Sequence, residues 1–371
     1  MSTTPARQLR ILHSEAATSW GGQEQYIFRM FQAMRERGHH LEAVCQPHAV
    51  LAERLTQEGF KVHTLLMDGP ANYFRGVPRV RAILREGRFD VLNTHSRRDT
   101  MLAGVAARLA GTPLIVRTRH LAKKPGSLIS YTGVPHRVTT SSEFVRRALI
   151  ERGVPEKHVA VVYPSVDLPP LTGHSTLRSE LKLAPNDIVV GCVAVMRAQK
   201  GHKELIDAMA PLIAERPNVH LVLVGGGSPL FEELQAYVQS LRLSRRVHML
   251  GHRNDVPNLL EGFDIFALAT RQEAAGMVFV EAGSMGVPVI GTRVDGVPEM
   301  MREGVNGMLV PLDDVPALTE AIRLLVEDRE LRVQMGQAGL EFCRKSGYFS
   351  MGAMAQRAEE AYLRWLKELK K

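Results

Sequence analysis

Short apolar runs alternate with amphipathic helical stretches along almost the whole chain. Such runs predict β-strands at 9–13, 41–46, 61–66, 90–95, 113–120, 137–141 and 158–163 in the first half, and at 188–196, 219–224, 247–250, 264–269, 288–293 and 307–310 in the second. Strands that alternate with helices in this way are typical of parallel sheets covered by helices on both faces. The sequence therefore predicts an α/β protein with doubly wound, Rossmann-like sheets.

A proline-rich break separates the two halves of this pattern. Pro164, Pro169 and Pro170 interrupt the strands and helices, which restart after a polar stretch. At 371 residues the chain is also too long for one ordinary hydrophobic core. We therefore expect two domains.

The predicted domain boundaries follow from where the pattern stops and restarts. We expect an N-terminal domain at 1–165, a C-terminal domain at 166–348 and a closing segment at 349–371. Helical patterns run over 315–345 and 351–371, and no strand follows the last of them.

The positive charge of the chain is concentrated in its first half. Residues 1–168 hold 24 Lys and Arg against 14 Asp and Glu, whereas residues 169–371 hold 23 against 25. This asymmetry indicates that the first half faces a polyanion, either an anionic membrane surface or a nucleic acid. A surface that merely prefers arginine is the alternative.

No targeting or membrane-spanning segment is visible in the sequence. Residues 1–8 are polar, and no run approaches about 18 uncharged apolar residues, so neither a signal peptide nor a membrane span is expected. Cys45, Cys192 and Cys343 are far apart and odd in number, which predicts reduced core thiols. These features predict a cytoplasmic protein.

Two glutamates, Glu273 and Glu281, stand where a strand-like run ends and a helix begins. Gly276 leaves the backbone bare at that helix start, so free N–H groups and the positive end of the helix dipole can face an anion. One carboxylate could hold sugar hydroxyls and the other ribose hydroxyls. The pattern suits a sugar nucleotide, although glutamates near a helix start also favour the dipole with no further role.

Other polar residues follow predicted strands, where open α/β sheets bind their ligands. A Gly-Gly-Gln-Glu segment at 21–24 opens a helix with glycines that let backbone N–H groups approach phosphate or sugar oxygens. Arg197 and Lys200 follow the strand at 188–196, and two such cations can clamp a diphosphate. A solvated loop is the alternative for this pair.

The glycine segment at 225–227 is similar to a dinucleotide-binding loop but is incomplete. Position 230 is Leu230, so the third glycine of Gly-x-Gly-x-x-Gly is absent and an NAD site is not favoured. The segments at 286–291 and 295–299 are expected to be mainly structural.

Taken in chain order, these segments resemble the family-4 retaining glycosyltransferases of the GT-B fold. The motifs that carry the resemblance are Gly21-Gly22-Gln23-Glu24, Arg197 with Lys200-Gly201, the pair Glu273 and Glu281, Gly286-Val287-Pro288-Val289, and Gly296-Val297-Pro298-Glu299 leading to Asn306-Gly307. The resemblance implies two domains facing a central cleft, with the acceptor bound by the first and the sugar nucleotide by the second. It also implies that the last helix crosses back to the first domain.

The resemblance and the strand-end positions together assign expected roles. His120 and Glu273 are expected to be catalytic, with His120 beside the sugar. The donor would be bound by Gly22, Arg197, Lys200, Arg253, Gly276, Met277, Val278 and Glu281, with Arg253 near the base through its backbone. On the acceptor side we expect Glu24, His95 and Arg119.

We expect neither a metal ion nor another cofactor. No Asp-x-Asp occurs anywhere in the chain, so cations and helix-start N–H groups alone would stabilise the leaving diphosphate. One departure from the family pattern is the small residue Ala275, preceded by Ala274, where the family usually has a bulky side chain. It either makes room for an unusual donor sugar or is compensated by a neighbour such as Met277.

The acceptor side carries an unusual basic segment at 72–85. It combines aromatic residues, four arginines and an apolar stripe of Val77, Val80 and Leu84. Such a helix can lie on an anionic bilayer, although any core-facing helix needs the same stripe. Lys123 and Lys124 add positive charge, consistent with a lipid-linked or phosphorylated glycan as acceptor.

The leading hypothesis is an enzyme that transfers a sugar to a glycan or glycolipid of the bacterial envelope, working at the inner face of the cytoplasmic membrane. The alternatives are a nucleotide-sugar epimerase or hydrolase of the same fold, and a basic nucleic-acid-binding protein. The last of these lacks a recognisable binding module, so nucleic acid is not an expected partner. The base, the sugar and the acceptor are not specified by the sequence.

Overall fold

The computed structural model describes residues 7–167 and 169–370. The chain divides into two compact units, which are called the first unit (Met1–Ser165 with Ser350–Lys371) and the second unit (Val166–Phe349). Most of the polar segment predicted at 1–8, and Lys371 at the end of the last predicted helix, lie outside the described residues.

The first unit is built on a seven-stranded sheet in which all strands are parallel. Its strands are β1 (Arg10–Glu15), β2 (His40–Cys45), β3 (Lys61–Thr64), β4 (Val91–Thr94), β5 (Leu114–Arg119), β6 (Arg137–Thr140) and β7 (Val159–Val161). Their spatial order is β3-β2-β1-β4-β5-β6-β7. The helices that connect them are α1 (Gly22–Glu36), α2 (Val50–Gln57), α3 (Gly69–Gly87), α4 (Arg97–Asp99), α5 (Val105–Ala110) and α6 (Glu143–Glu151).

The second unit has a six-stranded parallel sheet. Its strands are β8 (Ile188–Val193), β9 (Val219–Val224), β10 (Val247–Gly251), β11 (Ile265–Leu268), β12 (Val289–Thr292) and β13 (Gly307–Val310), in the spatial order β10-β9-β8-β11-β12-β13. Its helices are α7 (Leu177–Glu180), α8 (His202–Glu215), α9 (Leu230–Ser240), α10 (Val256–Glu261), α11 (Met277–Ser284), α12 (Val315–Glu327) and α13 (Arg329–Gly339). The doubly wound parallel sheets that the sequence predicts are thus confirmed.

The final helix, α14 (Met351–Leu369), belongs to the first unit although it follows the second in sequence. Ser350 caps it by accepting a hydrogen bond from the backbone N–H of Ala353 at 3.1 Å. Its buried face carries Tyr362 and Trp365 into the core that α1 and α2 form on one face of the sheet. α3 and α5 cover the opposite face.

One helical prediction differs from the structure. The pattern over 315–345 breaks at Asp328, whose backbone is extended and whose side chain accepts a hydrogen bond from Leu331 N at 2.8 Å. Because this carboxylate caps a new helix, α12 and α13 are separate, and a π-helical turn at Leu340–Lys345 follows.

Two of the three glycines at 225–227 serve the packing of two backbones. A Cβ at Gly225 would lie 1.9 Å from the carbonyl oxygen of Ala194, and a Cβ at Gly227 would lie 2.6 Å from that of Met196. The peptide after β9 therefore lies directly against the peptide after β8.

Among the described residues, no helix is long and apolar enough to cross a membrane.

Candidate active site

Each sheet contains one place where the strand order reverses. In the first unit it lies between β1 and β4, and in the second between β8 and β11. The loops that leave two such strands run in opposite directions, which opens a crevice at the carboxyl ends of the strands. Glu24, His95, Lys200 and Glu273 follow these four strands, whereas Arg119 and His120 stand at the end of β5 and Arg253 follows β10.

Lys200 and Glu273 meet at the crevice of the second unit. The Lys200 Nζ atom lies 2.5 Å from Oε2 of Glu273, and both side chains are mostly buried. Lys200 comes from the loop after β8 and Glu273 from the loop after β11. Two residues that the sequence assigns to one ligand, 73 positions apart, are thus in direct contact.

Backbone contacts hold these two loops together. The carbonyl oxygen of Gln199 accepts hydrogen bonds from the Thr270 hydroxyl at 3.0 Å and from the Arg271 backbone N–H at 2.7 Å. Gly201, with φ 67°, lies so close to Ala269 that a Cβ would stand 1.8 Å from its carbonyl oxygen. Only glycine fits this approach without displacing the loop.

Gly276 ends the loop and begins helix α11. Its φ of 84° is in the left-handed region, and its carbonyl oxygen accepts from Phe279 N at 3.0 Å. The backbone N–H groups of Met277 and Val278 are at the first positions of the helix, where no intrahelical acceptor exists. A Cβ at Gly276 would lie 3.0 Å from Cγ of Glu273, so the helix start and this carboxylate are neighbours.

Asp295 and Gly296 fix the backbone of Glu273. The Glu273 N–H donates to Oδ2 of Asp295 at 3.0 Å, and its carbonyl oxygen accepts from Gly296 N at 3.1 Å. Burial raises the pKa of Asp295, and the charge of Glu273 adds to this effect. The peptide of Ala274 and Ala275 lies against Gly296, and the role of the small Ala275 in sugar selection stays a prediction.

The other predicted donor residues of the second unit are placed differently. Arg197 is exposed, and its carbonyl oxygen accepts from Lys200 N at 2.9 Å, so the two cations lie on one tight turn. Glu281 is half-buried within α11. Arg253 is held by the carboxylates of Asp255 at 2.7 Å and Glu180 at 2.6 Å, so its side chain is engaged within the second unit, and a role of its backbone near the base stays a prediction.

Three histidines form a row at the crevice of the first unit, with His13 and His95 buried and His120 half-buried. The ring nitrogens His13 Nδ1 and His95 Nε2 are 2.9 Å apart, and His95 Nδ1 and His120 Nε2 are 3.1 Å apart. Burial lowers the pKa of both His13 and His120 to about 3, and it lowers that of His95 as well. The three rings are therefore neutral at physiological pH.

Two buried carboxyl groups lie at the ends of the same strands. Glu15 ends β1, where it accepts from Ala17 N at 2.8 Å and from the side chain of Gln23 at 2.5 Å. Asp99 accepts from the backbone N–H groups of His95 and Ser96, each at 2.7 Å. Burial raises the pKa of Glu15 and of Asp99, and the charge of Asp99 raises that of Glu15 further.

The predicted glycine turn of the first unit begins α1. Gly22 is exposed, and a Cβ there would meet no atom within 4 Å. Glu24 is buried, and its Oε2 accepts from Gly21 N at 2.7 Å. The contact observed for Glu24 is thus that of a helix cap.

Arg119 is bound within the first unit. Its guanidinium donates to the Tyr131 hydroxyl and to the carbonyl oxygen of Lys123, and the side chain is buried. Arg117, two residues earlier in β5, packs against the same ring, with its guanidinium carbon 4.0 Å from the Tyr131 ring centroid. The contacts observed for Arg119 thus order the loop after β5, and its predicted role on the acceptor side stays a prediction.

Sequence reasoning missed His13, Glu15 and Asp99. The available signal was that β1 carries polar residues at its carboxyl end within an otherwise apolar strand.

In the described part of the chain, no group of three or more His, Cys, Asp or Glu side chains is placed to hold a metal ion.

Comparison with protein families gives one match for each unit. Residues 20–169 match the family described as Glycosyltransferase Family 4, and residues 174–342 match the family described as Glycosyl transferases group 1. Between them the two matches span most of both units.

Individual relatives are glycosyltransferases. A UDP-Gal:alpha-D-GlcNAc-diphosphoundecaprenol alpha-1,3-galactosyltransferase from Escherichia coli is 23% identical over 348 residues, covering 88% of this chain and 90% of the relative. A phosphatidyl-myo-inositol mannosyltransferase from Mycobacterium tuberculosis is 25% identical over 92% of this chain and 93% of its own. The lipopolysaccharide core biosynthesis glycosyltransferase LpsE from Rhizobium meliloti is 32% identical, over 51% of this chain and 52% of its own.

Solved structures share the fold over the full length. The crystal structure of Anabaena Alr3699/HepE in complex with UDP has a TM-score of 0.85 and 24% identity, covering 96% of this chain and all of the other. The apo form of the lipopolysaccharide outer core galactosyltransferase WaaB has a TM-score of 0.76 and 17% identity, with 96% and 99% covered.

Two parallel-sheet units with polar residues at both strand-order reversals, together with these matches, define a glycosyltransferase of the GT-B fold. The comparisons support neither an epimerase nor a nucleic-acid-binding protein. The chain belongs to the family-4 glycosyltransferases.

Proposed function

We propose that the protein is a retaining, metal-independent glycosyltransferase. It transfers a sugar from a nucleoside diphosphate sugar to a glycan or lipid-linked glycan of the bacterial envelope. The observation that carries this proposal is the contact between Lys200 and Glu273 at the crevice of the second unit, beside the helix start at Gly276. A cation, a carboxylate and free N–H groups then face one ligand.

The donor would be bound by groups that match its chemistry. Lys200 and the neighbouring Arg197 carry the positive charge for the diphosphate, and the N–H groups of Met277 and Val278 add helix-start donors. Glu273 accepts hydrogen bonds from sugar hydroxyls, and Glu281 from the ribose. As the bond between sugar and phosphate breaks, the cations and N–H groups stabilise the negative charge that develops on the diphosphate.

The first unit would supply His120 and the acceptor site. His120 lies after β5, its ring is neutral, and the ring of Tyr26 packs edge-on against it at 4.9 Å between centroids. A neutral imidazole can hydrogen-bond a sugar hydroxyl without adding a charge beside the reacting carbon. The exposed Gly22 would contact the same ligand through its backbone.

The relatives support an acceptor built on a lipid. The Escherichia coli enzyme is named for a diphosphoundecaprenol acceptor, the Mycobacterium tuberculosis enzyme for phosphatidyl-myo-inositol, and LpsE for lipopolysaccharide core synthesis. All three names describe molecules with a lipid part. We therefore place this protein at the inner face of the cytoplasmic membrane as a peripheral protein.

Helix α3 offers a face that suits an anionic membrane surface. Phe74, whose side chain is 74% exposed, is followed at four-residue intervals by Pro78 and Ala82, and all three face solvent. Arg75 and Arg79 flank this apolar line and have no acidic partner among the described residues. Arginines beside exposed apolar side chains are typical of segments that bind at lipid headgroups.

The apolar stripe that the sequence suggests for this role lies elsewhere. Val80 and Leu84 are buried in the core under α3, and Val77 packs against them. The stripe therefore serves the core, and the docking face is the line of Phe74 and Pro78 on the other side of the helix.

The slow hydrolysis of the donor tests the stereochemistry without knowledge of the acceptor. The nucleotide sugar is first chosen by a thermal-shift screen of UDP, GDP and ADP sugars. NMR then follows the anomeric configuration of the first sugar released, with water as acceptor. We expect the configuration of the donor to be retained and the rate to be unchanged in chelator. An inverted anomer contradicts the retaining mechanism, and a loss of rate in chelator that added magnesium restores contradicts metal independence.

Binding of the free nucleoside diphosphate tests the donor site itself. Lys200→Ala should weaken it by about 1.5–3 kcal/mol because a charge-assisted contact to phosphate is lost. Lys203→Ala is the matched control, since Lys203 lies on α8 and pairs with Asp207 at 2.8 Å. Calorimetry that finds equal affinity for the Lys200 variant and the wild type contradicts the assignment.

A further inference from the structure

The row of three histidines constrains where each of its protons can lie. His13 and His95 are almost fully buried, their rings are inclined by 12°, and the rings of His95 and His120 are inclined by 23°. Each pair of neighbours is joined through one Nδ1 and one Nε2 atom. Both contacts are short enough for a hydrogen bond between ring nitrogens.

Each contact needs one proton, and neutral imidazole has only one N–H to give. Three neutral rings carry three protons, so two protons fill the two contacts and the third lies at one end of the row. If every ring is protonated on Nδ1, the third proton lies on Nδ1 of His120. If every ring is protonated on Nε2, it lies on Nε2 of His13. Mixed arrangements leave one contact with two protons or with none.

The two ends of the row are not equivalent. His13 Nε2 is buried and has no hydrogen-bond partner among the described residues. Its ring packs against Phe31, with 5.0 Å between centroids. A buried N–H without an acceptor is the rarer and costlier case, whereas a bare ring nitrogen leaves only a lone pair unused. The third proton is therefore favoured at the His120 end.

The charged and titratable groups around the row do not change the number of protons that the three rings carry. Asp99 accepts from the backbone N–H of His95, and Glu15 from Ala17 and Gln23. In the described part of the chain, no carboxylate lies within ion-pair distance of the three rings. The charge of Arg117 lowers the pKa of His120 further, and Tyr26 meets that ring only by its edge.

We propose that His13 and His95 are positioning residues that hold His120 in the Nδ1-protonated tautomer. His13, at the buried end, sets which nitrogen donates in both hydrogen bonds of the row, and this relay of hydrogen-bond direction fixes the position of the proton on His120 at the other end. No net proton moves through it. His120 Nδ1 has no hydrogen-bond partner among the described residues, so the N–H that the row fixes there is available to a ligand.

The consequence for catalysis rests on the proposed function. In the glycosyltransferase, His120 would donate a hydrogen bond to an oxygen of the donor sugar and could not accept one. The tautomer itself does not depend on the reaction, which separates the two hypotheses experimentally.

Nitrogen-15 NMR of the full-length protein labelled at histidine reads each tautomer directly at about neutral pH, where the rings are neutral. We expect Nδ1–H signals for His13, His95 and His120. A His120 that carries its proton on Nε2 in the wild-type protein overturns the proposal, whatever the behaviour of any variant.

Two substitutions of His13 then separate positioning from packing. His13→Phe keeps a ring beside Phe31 but removes the N–H that His95 accepts, so His120 should show both tautomers. His13→Asn keeps an N–H donor near the position of Nδ1 and should retain the single tautomer. If His13→Phe leaves His120 wholly Nδ1-protonated, the relay is wrong.

Kinetics give a second readout. His13→Phe should lower kcat about tenfold, the effect of one ordinary hydrogen bond, with the affinity for nucleoside diphosphate unchanged, and His13→Asn should restore most of kcat. His248→Phe is the matched control, because His248 makes a similar contact of 3.0 Å with His220 in the second unit and should change neither readout. If the tautomers are as expected but no transfer is found with any nucleotide sugar, the relay stands and the proposed function is wrong.

Discussion

The ion pair of Lys200 and Glu273 couples two groups that the proposed reaction uses for different parts of one ligand. In the chain without ligand, the carboxylate neutralises the ammonium at 2.5 Å. A diphosphate that binds Lys200 must share the cation with Glu273. The ion pair thus keeps the Lys200 ammonium in place in the free protein, and it lowers the affinity of Lys200 for the diphosphate of a free nucleotide.

The substitution Glu273→Gln should therefore affect turnover and binding in opposite directions. We expect kcat to fall about 100-fold or more, because a contact to the sugar in the transition state is lost. The affinity for free nucleoside diphosphate should stay the same or rise, because Lys200 is released. Steady-state kinetics and calorimetry measure the two effects.

Glu204→Gln provides the comparison for that experiment. Glu204, which is half-buried, pairs with the exposed Arg271 at 2.6 Å and so also connects the chain after β8 with the loop after β11. Both readouts should remain at the wild-type level. A Glu273 variant that loses nucleotide affinity in parallel with kcat contradicts the separate roles of the two residues.

Glu15 should make the stability of the protein depend on pH. Burial raises its pKa above 4.5 in the folded state, so its contribution to stability is complete below that pH and is lost as the pH rises. Relative to Glu15→Gln, the wild-type protein should lose up to about 1.4 kcal/mol of unfolding free energy per pH unit above this value, until the pH reaches the raised pKa of Glu15, about 8. Urea unfolding at several pH values measures it, with the exposed Glu36→Gln as control. A constant difference between wild type and Glu15→Gln across pH contradicts the prediction.

At the scale of elements, the loops of the second unit contain two glycines that can be compared directly. Gly201 and Gly251 have nearly the same φ, 67° and 66°, but different surroundings. A Cβ at Gly201 would collide with Ala269, whereas one at Gly251 would meet nothing within 4 Å. The two positions separate the cost of the backbone conformation from the cost of a clash.

Gly201→Ala should destabilise the protein more than Gly251→Ala. The second change costs about 1 kcal/mol for the left-handed conformation alone, and the first should cost at least about 2 kcal/mol because the loop must also move. Chemical unfolding of both variants gives the comparison. Equal costs mean that the loop of Lys200 is not held by its contact with Ala269.

The docking face of α3 predicts salt-sensitive binding to anionic vesicles. Arg75→Gln with Arg79→Gln should reduce co-sedimentation, and Phe74→Ala should reduce the part that survives high salt. The control is Arg54→Gln with Arg364→Gln, which removes two exposed charges from α2 and α14 on the opposite face of the sheet. Equal binding of both double variants contradicts docking through α3.

The elements themselves were largely predictable, and their ends were not. Buried strands of a parallel sheet are rich in apolar residues, and every strand of both described sheets has a counterpart in the sequence prediction. The run at 188–196 continues past the end of β8 because the exposed Val195 and the buried Met196 are both apolar. A polar cap within an amphipathic run, such as Asp328, gives too weak a signal to divide a helix in advance.

The site was predictable only where a residue follows a strand. Lys200, Glu273 and His95 satisfy that rule, whereas His13 lies within β1, a strand buried on both faces. Such a strand lacks the two-residue alternation that tells which side chains meet. Arg119 also follows the rule, yet its guanidinium is bound by Tyr131, a contact that depends on a loop whose path no pattern specifies.

At the scale of the whole molecule, α14 joins the end of the chain to its beginning. Trp365 is fully buried in the core of the first unit, while Leu369 on the same helix is 39% exposed. Both tryptophans of the chain, Trp20 and Trp365, lie in the first unit. Tryptophan fluorescence therefore reports on that unit alone.

Trp365→Ala should destabilise the first unit by about 3–5 kcal/mol, because a large side chain leaves a cavity in the core. The fluorescence of Trp20 should then change at lower urea, while nucleotide binding by the second unit persists. Leu369→Ala should cost less than about 1 kcal/mol. A common shift of both units in the Trp365 variant contradicts their separate cores.

The position of α14 also orders the events of biosynthesis. The ribosome makes the seven strands of the first sheet first, but α14, which shares one face of that sheet with α1 and α2, emerges only after the second unit of about 180 residues. At roughly 5–20 residues per second, that apolar face waits about 10–40 s for α14. The second unit is therefore complete before the first, and the half of the protein that is synthesised earliest is the last to finish its core.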